Sequence, residues 1–357
     1  MKKIINRLDK NGAIMSNKLK KEIKRLNTIL RSKDDKKILA VVNKLLKDYP
    51  NILYFVRIKS IALTKLEKYK ELLKLHDKYS EEIYMDIDIV HTKLYALEDL
   101  KDIKKQAIFV NKSLIYYPED FHLVTKNDNI LNHFQSTTED IEFLKDLLKV
   151  NPNNIEIYMH LGYASAKLAR SLDDFSKQED AINYFDKAIE LCKLDPNHDN
   201  NPSHIYIDKG ESLASFERYD EAIKTFDLID DEDINADIKF REKSIVYREI
   251  GDYDLALKYI DKAIEIDNDS YLMELKGRIY LCMKDYDLAI KCFNQSADDD
   301  DRAANYYKAF ALKEKGEYVE SINCLNMIKK NENIKKGWAD YEYERAQKLI
   351  KEINLNK

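Results

Sequence analysis

Glycine and proline are scarce in this 357-residue chain, with only 7 and 5 copies. A β-rich or α/β protein of this length needs many more turn formers, so the scarcity predicts helices joined by short loops. No stretch approaches the roughly 20 apolar residues that a membrane-spanning helix requires. The N-terminal stretch is positively charged but has no apolar run behind it, which argues against a secretory signal. We therefore expect a cytoplasmic, all-α protein.

Cysteine is also sparse, and its four copies form no C-x-x-C pair. All four lie inside predicted helices, so we expect small buried hydrophobic residues in a reducing compartment. They are Cys192, Cys282, Cys292 and Cys324.

Motifs of common catalytic and cofactor sites are absent from the sequence. There is no G-x-G-x-x-G, no G-x-x-x-x-G-K-[ST], no H-E-x-x-H and no G-x-S-x-G. The stretch from Asp195 to Asn201 alternates Asp and Asn like the start of a calcium loop, but Pro196 interrupts it. Asn200 and Tyr206 stand where that loop needs Gly and Glu. We expect no enzymatic activity, no cofactor and no metal.

Charge is distributed unevenly along the chain. Residues 1–37 contain 13 Lys/Arg and 4 Asp/Glu, so this part carries +9 and leaves −14 for the rest of a chain whose net charge is −5. A basic segment of this kind is usually a solvated helix face. The negatively charged remainder of the chain would repel polyanions, which argues against general nucleic-acid binding.

One short phrase recurs three times in the second half of the chain. It reads RYDEAIKTFD from Arg218, DYDLALKYID from Asp252 and DYDLAIKCFN from Asp285. Its small residue recurs at steps of 34, 33 and 32, at Ala222, Ala256, Ala289 and Ser321. Upstream, prolines keep the same period, with steps of 68 and 34 between Pro50, Pro118 and Pro152. A fixed period of this size predicts a stacked array of helical units.

Each repeat is predicted to contain two helices. Apolar or small residues recur at helical spacings of three and four. In one unit these are Ile207, Gly210, Leu213 and Ala214, followed by Ala222, Ile223, Phe226 and Ile229. In the next unit Gly251 suits the left-handed residue after a helix, and Asp252 or Asp254 is placed to cap the following helix.

The pattern resembles the tetratricopeptide repeat (TPR) family. The unit from Ile155 carries the aromatic-x-x-Leu-Gly of the family's first helix. The matching letters there are Tyr158, Leu161 and Gly162. Later units supply Gly251, Tyr253, Ala256 and Ala263, then Gly277, Tyr280, Tyr286, Ala289 and Phe293. The resemblance implies a right-handed superhelical solenoid of stacked antiparallel helix pairs.

The resemblance divides the chain into four predicted parts. These are a basic N-terminal segment (1–18), degenerate TPR-like units (19–154), well-matched TPR units (155–333) and a C-terminal capping helix (334–357). The number of units in 19–154 stays open, because their glycine and alanine positions are degraded. The unit from Ile155 is too long, since Ala181 arrives seven residues late. We expect its first helix to run past the usual end, with a kink or subdomain boundary near residue 199.

The family's first helices line a groove, and the resemblance assigns the groove-facing positions. Carried over unit by unit, they include His160, Tyr163, His204, Asp208, Glu211, Arg241, Arg248, Glu274, Arg278 and Tyr307. Five histidines take such positions: His91, His122, His133, His160 and His204. Such a row would suit an acidic segment or, with the right geometry, a metal; plain tolerance of polar rings is the simpler reading. An aromatic patch of Tyr306, Tyr307 and Phe310 is expected to pack against Trp338 and Tyr341.

The function predicted from this pattern is a non-enzymatic scaffold that binds a protein or peptide segment in the groove. Mixed charges on the groove suit a segment with paired charges rather than a polyanion. Two alternatives stay open: a regulatory TPR sensor that responds to a peptide or ligand, and an RNA-associated scaffold that uses the basic N-terminus. The partner and the oligomeric state are not fixed by the sequence.

Overall fold

The computed structural model describes residues 17–134, 137–172, 174–194, 201–267, 269–296, 302–330 and 340–355. In these ranges the chain forms 19 α-helices and one 3₁₀ turn, Glu82–Met85, and no strand. The all-α prediction is confirmed. The chain separates into two compact units, residues 1–168 and 169–357, called unit 1 and unit 2 below.

Unit 1 is built from consecutive helices that follow the predicted period. They are α1 (Asn17–Leu30), α2 (Asp35–Asp48), α3 (Leu53–Lys65), α4 (Tyr69–Lys78), α5 (Ile87–Asp99), α6 (Ile103–Leu114), α7 (Phe121–Leu131), α8 (Thr138–Val150) and α9 (Ile155–Leu172), the last of which ends in unit 2. Helices α1 and α2, α3 and α4, and α5 and α6 pack as neighbours.

Unit 2 is also built from consecutive helix pairs. Its helices are α10 (Phe175–Leu194), α11 (Ser203–Ser215), α12 (Tyr219–Phe226), α13 (Ala236–Ile250), α14 (Tyr253–Ile266), α15 (Ser270–Cys282), α16 (Tyr286–Ser296), α17 (Arg302–Glu314), α18 (Tyr318–Met327) and α19 (Tyr341–Leu355). Four antiparallel pairs, from α11–α12 to α17–α18, pack internally and against the next pair. The predicted stacking of helix pairs is confirmed in this unit.

The turn inside a pair uses one left-handed residue. Gly251 has φ +91° and ends α13; its N–H reaches Arg248 O, and the N–H of Asp252 donates to Tyr247 O at 2.9 Å. Asp252 then caps α14 by accepting from Leu255 N. Both roles were predicted. The same left-handed position recurs at Lys33, Glu67, Lys101, Glu217, Lys284 and Gly316.

These left-handed residues show the period in the degenerate half of the chain. Lys33, Glu67 and Lys101 follow one another at intervals of 34. A side chain other than Gly or Asn rarely adopts this conformation, so composition alone does not reveal these turns. The repeat is therefore structural in unit 1 even where its glycines are missing.

Two helices of a pair cross closely where a glycine faces an aromatic ring. An ideal Cβ added at Gly277 would lie 2.6 Å from Phe293 Cε1, and Gly210 meets Phe226 in the same way. Both rings are fully buried. Two further buried small–large pairs keep this spacing of sixteen residues: Ser244 with Ile260, and Ala309 with Leu325.

In unit 1 two polar residues lie sixteen positions apart in the same way. Ser60 on α3 and His76 on α4 are both fully buried, and Ser60 Oγ lies 2.8 Å from His76 Nε2. Burial, with a smaller contribution from the nearby Lys93 charge, lowers the pKa of His76 to about 3. His76 is therefore neutral at physiological pH, and its hydroxyl partner satisfies one ring nitrogen.

Three further expectations met different outcomes. The extended helix of the fifth unit is confirmed, since α9 has 18 residues and α10 has 20. Burial is confirmed for Cys192, Cys292 and Cys324 but is wrong for Cys282, which is exposed because α15 ends there. The calcium-like stretch 195–200 and Trp338 lie outside the described residues, as does most of the basic segment 1–18. The boundaries predicted from repeat quality stay predictions.

The glycine–ring contact gives a direct stability test. We expect Gly277→Ala to lower the free energy of unfolding by about 1–3 kcal/mol, because the new methyl overlaps the Phe293 ring. Urea unfolding measured for Gly277→Ala, Phe293→Leu and the double variant should show positive coupling, with the smaller side chain recovering part of the loss. A Gly277→Ala variant as stable as the parent would contradict the close crossing.

His76 gives a pH-dependent test in unit 1. The unfolded chain binds a proton at its ordinary pKa near 6.5, whereas the folded state does so only near 3. Stability is thus complete above about pH 6.5 and falls as the pH drops towards 3, by about 2 kcal/mol at pH 5. Amide hydrogen exchange in α3 and α4 should show this loss. His76→Gln keeps a hydrogen-bonding group without titrating, and an equal loss in that variant would refute the assignment.

Candidate functional site

The first helices of successive pairs in unit 2 lie side by side. Helix α11 contacts α13, α13 contacts α15, α15 contacts α17, and α17 contacts α19. We call their shared polar surface the first-helix face. It carries the eight predicted residues of this unit, His204, Asp208, Glu211, Arg241, Arg248, Glu274, Arg278 and Tyr307. Unit 1 carries the other two, His160 and Tyr163.

One end of the first-helix face is acidic. Glu211 is exposed as a residue, yet protein groups surround its carboxyl closely, and this desolvation raises its pKa to about 7. Repulsion from Glu242 and Asp208 raises the pKa further, while Arg241 lowers it. The carboxyl of Glu211 therefore lies near two further carboxyl groups and near the guanidinium of Arg241, which pairs with Glu242. This end is suited to receive positive charge.

The predicted arginines in the middle of the face already have carboxylate partners on their own helices. Arg241 Nε lies 2.8 Å from Glu242 Oε1, and Arg248 pairs with Glu249 in the same way. Arg278 lies 3.7 Å from Glu274, which is buried. These pairs make the middle of the face nearly neutral.

The opposite end of the face is aromatic and cationic. Arg278 Cζ lies 4.9 Å from the centroid of the Tyr307 ring, which stacks on Phe293. Arg345 on α19 lies 4.2 Å from the Tyr306 centroid and 5.4 Å from that of Tyr341. Phe310 and Tyr306 pack against the apolar cluster that includes Leu349 and Ile353 of α19. Tyr307 packs against the cluster of Ala289, Phe293 and Ala304, and the predicted packing of the patch on Trp338 and Tyr341 stays a prediction.

Arg345 is the functional candidate that sequence reasoning missed. Among the described residues no carboxylate lies within ion-pair distance of its guanidinium, whose neighbours are the tyrosine rings. The cation-π contacts hold the charge without neutralising it. No pattern in the sequence marked this residue, because it belongs to the final helix and not to a repeat position.

The predicted histidine row does not form one cluster in unit 1. His91 Nε2 lies 3.1 Å from Asp120 Oδ1, and the His91 and His122 rings are 5.3 Å apart. His133 bonds the carbonyl of Asn129 on its own helix. His160 is buried beside Tyr163, and burial lowers its pKa to about 4. A partner-binding role for His160 and Tyr163 stays a prediction.

Neither metal-site geometry nor a membrane-spanning helix occurs in the part of the chain that the structure describes. No group of three or more His, Cys, Asp and Glu side chains is arranged there to hold an ion. None of the helices in those ranges combines the length and apolarity needed to cross a bilayer.

The fold and the repeating turn define a helical-repeat protein. A model of the tetratricopeptide repeat matches residues 242–270 and 271–298, which contain α14, α15, α16 and most of α13. A TPR repeat-containing protein of Methanocaldococcus jannaschii is 24% identical over 298 residues, or 81% of this chain and 46% of that protein. The chain thus spans less than half the length of this relative.

Solved structures with similar folds are also TPR proteins or larger helical assemblies. A tetratricopeptide repeat protein from Parabacteroides merdae has a TM-score of 0.48 at 17% identity, covering 76% of this chain and 99% of that one. Yeast Tom70 has a TM-score of 0.49 at 17% identity, covering 84% and 60%. Residues 242–298 thus match the tetratricopeptide repeat model, and over most of its length the chain is similar to a TPR repeat-containing protein.

The acidic end of the first-helix face can be tested by titration. We expect the Glu211 carboxyl to titrate near pH 7, measured by carbon NMR of the labelled side chain. Glu242→Gln should lower this pKa because it removes a repelling charge, and Arg241→Gln should raise it because it removes an attracting one. Exposed Glu265 serves as the reference carboxyl. A Glu211 pKa near 4.5 that neither variant changes would contradict the described geometry.

Proposed function

We propose that the chain is a non-enzymatic cytoplasmic scaffold, and that unit 2 binds an extended protein segment along its first-helix face. The observation that carries this proposal is the difference in charge between the two ends of the face, one acidic and one cationic. At one end the carboxyl of Glu211 is repelled by those of Glu242 and Asp208, and at the other end Arg345 lies among tyrosines without a carboxylate partner.

This difference in charge specifies the chemistry of the segment. A Lys or Arg side chain of the partner would pair with the acidic end, where repulsion among like charges is relieved by a cation. An Asp or Glu side chain, or a C-terminal carboxylate, would pair with Arg345, since a guanidinium presents paired donors to a carboxylate. Aromatic rings between them supply apolar contact at low entropic cost.

The length of the face sets the length of the segment. Five neighbouring helices, α11, α13, α15, α17 and the final α19, extend over about 32–40 Å if each is 8–10 Å from the next. An extended chain advances about 3.3 Å per residue, so about ten to twelve residues reach from one end to the other. A single helix of that length reaches only about half as far.

The alternatives from the sequence receive less support. An RNA-associated role would use the basic N-terminus, most of which lies outside the described residues, while the first-helix face is acidic at one end and paired in the middle. A sensor role requires a second state of the repeats, and no observation on the face favours one.

The proposal is tested by selecting twelve-residue peptides on the full chain and measuring their affinity by calorimetry. We expect the selected peptides to carry a basic residue towards one end and a carboxylate towards the other. Arg345→Glu should weaken binding at least about tenfold, because it replaces attraction by repulsion. A peptide whose acidic residue is changed to Lys should bind the Arg345→Glu variant better than the original peptide does.

Lys351→Glu is the matched control, since Lys351 is exposed on the same helix, six residues from Arg345 and on another side of the helix, and changes charge by the same amount. It should leave the affinity within about twofold, as expected for a distant exposed charge. Selected peptides that bind Arg345→Glu and Glu242→Lys as tightly as the parent would show that the first-helix face is not the binding surface.

A further inference from the structure

A second polar site lies in unit 1, away from the features used above. An open cleft of about 760 Å³ runs between α2 and α4, with α3 beneath it. Its lining includes four lysines and one acid, namely Lys47 from α2, Lys59 from α3, and Lys74, Lys78 and Glu71 from α4. The helix pairs α2–α3 and α3–α4 pack together and so hold these side chains around one space.

The positive charge of this cleft is not neutralised by the protein. No described carboxylate lies within ion-pair distance of Lys47, Lys59, Lys74 or Lys78. The single acid, Glu71, is paired with Lys68 at 2.7 Å. Elsewhere on unit 1 several lysines do have a carboxylate partner three residues away, as Lys105 has in Asp102 and Lys145 in Glu142.

One of the lysines lies where its charge is disfavoured. Lys59 is half-buried at the floor of the cleft, and desolvation lowers its pKa. Glu71 opposes this decrease, while repulsion from Lys78 adds to it. An anion in the cleft would relieve both the desolvation and the repulsion, because a counter-charge favours the protonated form.

The walls of the cleft are firm and partly apolar. Tyr79 Oη donates to Pro50 O at 2.7 Å and joins the end of α4 to the turn before α3. Leu46, Leu75 and Pro50 give the lining an apolar part. A volume of this size is typical of small-molecule sites, which combine apolar walls with a few convergent polar groups.

We propose that this cleft binds a compact polyanion, a soluble molecule with three or more phosphate-type charges on one small skeleton. The site is distinct from the first-helix face of unit 2, and the ligand is of a different chemical class from the peptide segment proposed there. Lysine ammonium groups bind phosphate as point charges, whereas paired recognition of a carboxylate favours arginine, and the cleft contains no arginine.

The size of the cleft favours a compact ligand over an acidic peptide. A space of this volume is about 11 Å across if it is taken as a sphere. Same-side carboxylates of an extended peptide are about 6.7 Å apart, so only about two of them fit within that distance. A chain of three linked phosphates places all its charges in a shorter length, among the lysines that line the cleft.

The test uses inorganic tripolyphosphate as the probe and the full chain in low-salt buffer, measured by isothermal titration calorimetry. We expect one binding site per chain. Lys47→Gln/Lys74→Gln should weaken binding by about tenfold or more, because two of the four cleft charges are lost. Both residues are exposed, so circular dichroism should show an unchanged fold.

Lys20→Gln/Lys21→Gln is the matched control, since both residues are exposed on α1, carry the same total charge and do not line the cleft. It should bind tripolyphosphate within about twofold of the parent, as expected for charges outside the site. Equal losses in the two double variants would show non-specific attraction and overturn the proposal, as would absence of binding.

Three further probes distinguish a compact phosphate ligand from an acidic peptide, an RNA and an anionic membrane. Polyglutamate of twenty residues, single-stranded RNA, and phosphatidylcholine vesicles with 5% phosphatidylinositol bisphosphate are each tested against the parent and both double variants. The proposal expects tripolyphosphate to show the greatest loss in Lys47→Gln/Lys74→Gln. A cleft-dependent loss for any of the other three, with no tripolyphosphate binding, would overturn it.

Discussion

The close crossing of two helices within a pair is the contact on which the rest of this structure depends. A small residue on the first helix admits a large residue located sixteen positions later on the second, as Gly210 admits Phe226 and Gly277 admits Phe293. The buried rings join the two helices and remove apolar surface that neither could bury alone. Because this contact fixes the rotation of the first helix about its axis, it also determines which side chains lie on the first-helix face.

Local pairing of charges determines where the surface is available for binding. Arginines on the first helices of unit 2 are mostly neutralised by glutamates on the same helices, as Arg241 is by Glu242. Such exposed pairs contribute little to stability, but they cancel charge over the middle of the face. Among the described residues, charges without a carboxylate partner include the guanidinium of Arg345 and the four lysines of the unit 1 cleft, while the carboxyl of Glu211 is repelled by neighbouring carboxyls. At each of these places, binding a group of opposite charge lowers the free energy.

Most of the fold could be predicted from the sequence because its determinants are local. The period, the left-handed Gly251 and the cap at Asp252 involve residues a few positions apart. Features that depend on distant contacts could not be predicted. Glu67 and Lys101 adopt the left-handed turn without glycine, and the burial of His76 depends on Ser60 in another helix. The predicted positions on the first-helix face were found by carrying over the repeat register. Arg345 was missed because it lies in the final helix, beyond the last repeat.

The most direct test of the central contact is a nuclear Overhauser measurement on the full chain with labelled Gly and Phe. The account predicts cross-peaks between the Hα protons of Gly210 and the ring protons of Phe226, and between those of Gly277 and Phe293, with both glycine signals shifted by the nearby rings. Helical chemical shifts throughout α11, α12, α15 and α16 without either set of cross-peaks would contradict it, since the helices would then form without crossing at these residues.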